Sequence, residues 1–344
     1  MAASAISNPT IPLGSVVLVT GANGLIASHV VDQLLAAGYR VRGTVRDLSR
    51  CSWLEPFFAN RHGEGRLELV EVSDFAAAGA WDAAVKGVAG VAAVAGGDSL
   101  AAQDVDKSVE DAFSSIASLL EAAKAEPTVK SFVYTSSAWS AWMPDASKKV
   151  KLTEWSWNED AVRIARSDVS PQEKGITPFM AIRTLLEQRI WDWIKREKPS
   201  YTFNAILPDT VIGEVLNPQE QGFPSTCGMV KWLWDGTHLD FLSQMQPQYH
   251  IDTHDTGLLY VAALVTPGVN GERLYGFGHR YSWPRVEQIL SRLYPNKKLP
   301  GLKDNGWDQT EVPNQRAEEL IRGLGGNGWT SLEDSVRDCA KGFA

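Results

Sequence analysis

The sequence predicts an α/β fold, a doubly wound parallel sheet with a smaller C-terminal lobe. Three observations carry the expectation. Short apolar runs of strand length alternate with amphipathic helical stretches through the first two hundred residues. The first of these runs breaks on glycine directly into a helix. Beyond Pro208 the alternation gives way to loops rich in proline and glycine, with short helices between them.

Taken in order, residues 16–20 form the first strand, and the helix after it puts Leu25, Ile26, Val30, Val31, Leu34 and Leu35 on an apolar face. Residues 39–45 alternate as a second strand, and 67–72, 88–95, 132–136 and 201–207 complete the set. A helix between the last two aligns Phe179, Ile182, Arg183, Leu186, Ile190, Trp193 and Ile194 on one inward face. After Pro208, the turn signals Asn217-Pro218, Gly222-Phe223-Pro224 and Pro247 separate short helices near 230–234, 284–294 and 317–324. The reading is a core over residues 14–207, including the Phe179 helix, and a mainly substrate-binding lobe over 208–344 from which some segments return to the core.

Composition narrows the function. With 344 residues, 44% hydrophobic and 22% charged, the chain buries a large core. A net charge of −8 argues against nucleic acid, whose binding depends on neutralising phosphates. Residues 1–12 lack the charged start and apolar run of a signal peptide, and no later run reaches membrane-spanning length, so a cytoplasmic protein without a membrane partner is expected. Cys51, Cys227 and Cys339 are scattered, and no histidine or cysteine cluster has metal-ligand spacing. Oligomeric state is not legible at this level.

The glycine turn Thr20-Gly21-Ala22-Asn23-Gly24-Leu25-Ile26-Ala27 has the context of a dinucleotide site: a strand before it and a helix after it. Gly21 permits the turn, Gly24 lets backbone N–H groups approach a pyrophosphate, and the helix N-terminus at Leu25 and Ile26 offers positive charge. Such a Rossmann site distinguishes its cofactors at the end of the second strand. Arg46, with Arg42 earlier on the same strand, suits a 2′-phosphate, whereas Asp47 falls one residue late for a ribose-binding acid. The cofactor expected is NADP(H).

The turn, Val41-Arg42-Gly43-Thr44-Val45-Arg46, Phe132-Val133-Tyr134-Thr135-Ser136-Ser137 and Leu207-Pro208-x-x-x-Ile212-Gly213 occur in this order. Together they resemble the extended short-chain dehydrogenases/reductases, in particular the fungal aldehyde or ketone reductases and their dihydroflavonol-reductase-like relatives. The resemblance implies a Ser-Tyr-Lys site. Ser137 matches the serine in preference to Ser136, Asp74 matches the residue that meets the adenine, and Pro208 falls at the cofactor. The tyrosine and lysine positions hold Phe179 and Arg183. Tyr294 and Lys298 have the right spacing, but Pro295 and Asn296 between them make the match accidental.

Phenylalanine has no proton to give, and arginine is too basic to give one at neutral pH. An inward arginine needs partners, which ribose hydroxyls or a phosphate would supply. Candidates for a replacement acid are Tyr134, Asp145, Glu154, Asp209 and His250, each also readable as a surface or capping residue. The 13 tryptophans are the second unusual feature. Trp139, Trp142, Trp155 and Trp157, with Asp209, suggest an aromatic pocket for a large, flat or cationic substrate, although core filling explains such residues too. The leading expectation is an NADP(H)-dependent oxidoreductase acting on a carbonyl or imine/iminium of a bulky hydrophobic secondary metabolite. The rivals are a non-redox cyclase, Diels–Alder-type catalyst or isomerase that retains NADP, and an NADP-binding sensor without turnover.

Overall fold

The computed structural model describes residues 6–96 and 104–344. Ten strands form two sheets: β1 (Val16–Val19), β2 (Arg40–Val45), β3 (Leu67–Glu71), β4 (Gly90–Ala93), β5 (Ser131–Thr135), β6 (Thr202–Pro208), β7 (Thr210–Ile212), β8 (Gln248–Asp252), β9 (Arg273–Gly276) and β10 (His279–Tyr281). Seven of them pair in parallel in the order β3-β2-β1-β4-β5-β6-β9. The expected doubly wound sheet is therefore present.

The central strands β1 and β4 are apolar on both sides, because both faces of the sheet are covered there. Val17 and Val19 of β1 point into one core with Val30, Leu34 and Leu259, while Leu18 points into the other with Phe132, Leu120 and Ile190. Helices Leu25–Ala36 and Thr253–Val265 belong to the first core, and Val105–Ala125 and Thr177–Glu197 border the second. The two helices of the first core pass closely at Gly257, where a Cβ would lie 2.7 Å from the His29 carbonyl oxygen.

Two differences from the sequence reading have local causes. The expected strand 88–95 shortens to β4 because the Val94 and Ala95 amides turn to Thr20 Oγ1, at 2.9 Å each, instead of continuing the ladder. In the C-terminal part, β9 joins the main sheet beside β6, while β7, β8 and β10 make a second sheet over the cleft side. Strands of three to five residues are too short to show a period in sequence. The short helices expected there are Ser225–Asp235, Trp283–Leu293 and Gln315–Gly323. No helix among the described residues is long and apolar enough to cross a membrane.

Candidate active site

In a sheet of this topology the strand order reverses between β1 and β4, and a crevice opens at the carboxyl ends. There the structure has a cleft of about 740 Å³. It is lined by Gly21, Asn23, Gly24, Leu25 and Ile26 after β1, Arg46 after β2 and Asp74 after β3. Ser137 after β5, Phe179 and Arg183 on the Thr177–Glu197 helix, and Pro208 and Asp209 at the end of β6 complete the residues expected from sequence. Val94 to Gly96, Ser115 and Pro224 to Thr226 also line it. Sequence reasoning missed these, and only the break at Phe223-Pro224 hinted at the last group.

The turn after β1 has the geometry of an anion cradle. Gly21 has φ of +66°, and a Cβ there would lie 2.9 Å from the Ala95 Cβ, so only glycine fits the turn beside β4. Gly24 caps helix Leu25–Ala36 without a side-chain hydrogen bond, and the first turn has no acidic residue. The leading amides and the positive end of the helix are thus left for an anion.

At the second strand one expectation needs correction. Arg42 does not face the cleft: its Nε meets Glu68 at 2.6 Å and its Nη1 donates to the Ala84 and Lys86 carbonyls at 3.0 and 2.7 Å. It braces the sheet edge. Arg46 is exposed and lines the cleft. Asp47 caps the following turn, accepting from the Ser49 N–H and hydroxyl at 2.9 and 2.6 Å.

At the other end, the Ser136 hydroxyl is held by buried Glu187, whereas Ser137 is half-buried on the cleft wall with its Oγ accepting from the Trp139 N–H at 3.2 Å. Arg183 donates to the Thr135 carbonyl at 2.9 Å. Phe179 meets Trp139 edge-on, with ring centroids 6.0 Å apart, and the Trp139 indole N–H donates to Gln248 Oε1 at 3.1 Å. Phe179 thus faces the cleft as an apolar ring with Trp139 packed against it.

The expected aromatic pocket is also corrected. Trp139 stands beside Phe179, but Trp142 is buried against Phe277 and borders a separate cavity with Met143 and Trp157. Trp155 packs on Trp191, and Trp157 lies 3.9 Å from the Arg273 guanidinium. The reason is Arg273 itself, a fully buried cation on β9 that pairs with Glu187 at 2.7 Å and is covered by these indoles. No local pattern in the sequence marks this pair, whose members lie 86 residues apart.

Of the candidate acids, Asp209 alone is among the described residues that line the cleft. Tyr134 borders a neighbouring cavity, and Glu154 is exposed. Asp145 is held down to about 2 by hydrogen bonds from Ser147 and Lys148. His250 is buried, which pulls it down to about 4. Burial pushes the Asp209 carboxyl up to about 8, and the charge of Asp308 adds to this against the opposing Tyr249 and Thr210 hydrogen bonds.

The fold and cleft define a doubly wound protein of the dinucleotide-binding class. Residues 17–163 match the NAD dependent epimerase/dehydratase family. The chain is 38% identical to aldehyde reductase 2 of Sporidiobolus salmonicolor over 336 residues, covering 97% of each chain. It is 37% identical to the ketoreductase adrE of Penicillium rubens, covering 96% of each. It belongs to this family, the extended short-chain dehydrogenases/reductases that include the fungal aldehyde and ketone reductases. Its fold is that of yeast methylglyoxal/isovaleraldehyde reductase complexed with NADPH, with a TM-score of 0.78 over 95% of this chain and 97% of the other at 20% identity.

Proposed function

We propose that the protein is an NADP(H)-dependent oxidoreductase that reduces a carbonyl or imine/iminium group of a bulky hydrophobic metabolite. One observation carries this reading: the glycine cradle, Arg46, Ser137, Phe179 and Arg183 all line a single cleft. The Gly21–Ile26 turn holds the pyrophosphate, Arg46 the 2′-phosphate, Asp74 the adenine end, and Arg183 with Pro208 the nicotinamide end. Bound there, the cofactor supplies a hydride. Ser137 hydrogen-bonds the acceptor heteroatom, and the Phe179 and Trp139 wall excludes water and holds an apolar substrate, with residues 208–344 supplying most of the remaining cover. Relatives described as an aldehyde reductase and a ketoreductase support the reaction class.

The apolar ring at the tyrosine position favours a second reading, a cyclase or isomerase that works by orienting its substrate and keeps NADP for shape. Stoichiometry separates the two. Bulky aryl ketones and cyclic iminium ions are incubated with NADPH deuterated at the transferable position, and the products are weighed by mass spectrometry. The reductase reading expects one deuterium per product and no turnover with NADP⁺. Unlabelled product formed equally well with NADP⁺ overturns it in favour of the second.

A further inference from the structure

We infer that Asp209 is the acid of this cleft, supplying the proton that a tyrosine at position 179 would have given. The inference rests on the reductase reading for its substrate, but the state of the acid is tested apart from it.

Position comes first. The titratable side chains among the described residues lining the cleft are Arg46, Asp74, Arg183 and Asp209. Neither arginine gives up a proton at neutral pH, and Asp74 is exposed at the far end, after β3. Asp209 follows Pro208 at the end of β6, whose Ile206 carbonyl accepts the Ser136 N–H at 2.8 Å, so the acid and Ser137 leave neighbouring strands on the same side of the cleft.

Its hydrogen bonds come second, and they run one way. The Tyr249 N–H donates to Oδ2 at 2.9 Å, and Thr210 Oγ1 donates to Oδ1 at 3.4 Å. Thr210 in turn accepts from the Tyr281 hydroxyl at 2.8 Å, and Tyr281 accepts from Gln248 Nε2 at 3.3 Å. Gln248 also receives the Trp139 indole N–H, so one chain joins the carboxyl to the ring packed on Phe179. Both side-chain oxygens of Asp209 act as acceptors in this chain. An O–H on the carboxyl therefore has its outlet toward the cleft rather than into the chain.

The surroundings keep that proton in place. From the packed elements the groups facing Asp209 are the Asp308 carboxyl, the Tyr249 and Tyr281 phenols and, beyond Tyr249, the Arg280 guanidinium. The guanidinium stacks on the Tyr249 ring and donates to the Thr310 carbonyl, and among the described residues no cation forms an ion pair with Asp209. Desolvation then pushes the acid up to about 8, the range in which a general acid works best. When a carbonyl carbon gains the hydride of NADPH, the π pair moves to oxygen, the Asp209 O–H bond breaks and its proton goes to that oxygen. The carboxylate left behind takes a proton from water.

The test compares wild type with Asp209→Asn, which keeps the shape and the Tyr249 contact. With NADP⁺ bound, infrared titration of the wild type should show a protonated-carboxyl band at neutral pH that bleaches near pH 8 and is missing from the variant. A wild-type spectrum without that band overturns the inference whatever the reaction proves to be. With 2,2,2-trifluoroacetophenone and deuterated NADPH, the variant should form labelled alcohol about 10²–10⁴-fold more slowly at unchanged NADPH affinity, and Asp209→Glu should recover part of the loss. Equal rates in the two proteins also overturn it. If neither protein transfers deuterium while the band behaves as described, the reductase reading falls and the acid stands.

Discussion

Arg46 lies exposed at the carboxyl end of β2, while Arg42, four residues earlier, is bound to Glu68 and two backbone carbonyls. Asp47, the group that would favour a free ribose, is folded back onto Ser49. In the proposed reading the cofactor preference therefore rests on one guanidinium, a group suited to phosphate through charge-assisted and bidentate bonds. NADPH should bind at least about tenfold more tightly than NADH, and Arg46→Ala should erase most of the difference, as bidentate phosphate recognition implies. Fluorescence titration checks this, and superimposable curves for the two cofactors with the wild type would sink it. The residue type was readable from the strand-end motif. Which of two arginines served was not, because Arg42's partners come from other strands and turns.

The Thr177–Glu197 helix shows how one periodic face does two tasks. Phe179, Arg183 and Glu187 are spaced one turn apart, and the first two reach the cleft while the third is buried with Arg273. Burial alone would raise the Glu187 carboxyl, but the Arg273 guanidinium and the hydrogen bonds from Ser136 and Ser140 hold it below the usual range. That sign means the pair's contribution is present above the ordinary glutamate pKa and is lost as pH falls through the lowered value. Glu187→Ala leaves a buried cation unpaired and should cost about 3–5 kcal/mol in urea unfolding. Adding Arg273→Met should recover much of that loss, since the orphaned charge is then gone. A single variant as stable as the wild type would show that the ion pair does not brace the strand end below Ser137.

For the whole molecule, the cleft draws residues from the first turn to Thr226, so cofactor binding should oppose unfolding of the entire chain. A ligand present at a hundred times its dissociation constant adds about 2.7 kcal/mol. Thermal unfolding should therefore shift upward with NADPH and less with NADH at equal concentration, and the shift should track the measured affinities. Identical melting curves with and without saturating NADPH would refute the cradle as a nucleotide site.

The chain alone made legible the parallel sheet, the glycine turn after its first strand, and the inward helix face that carries Phe179 and Arg183. Each of these is written in a short stretch whose period or spacing is local. Tertiary structure alone decided which charges and indoles face the cleft. It paired Glu187 with Arg273, drew Trp155 and Trp157 to that cation, placed Cys339 against the Cys227 backbone, and withdrew Trp142 and Arg42 from the site. It also raised the Asp209 carboxyl, because desolvation and the partners from β8, β10 and the Asp308 loop set how readily a carboxyl ionises. Those partners lie distant in the chain, and no local pattern records them.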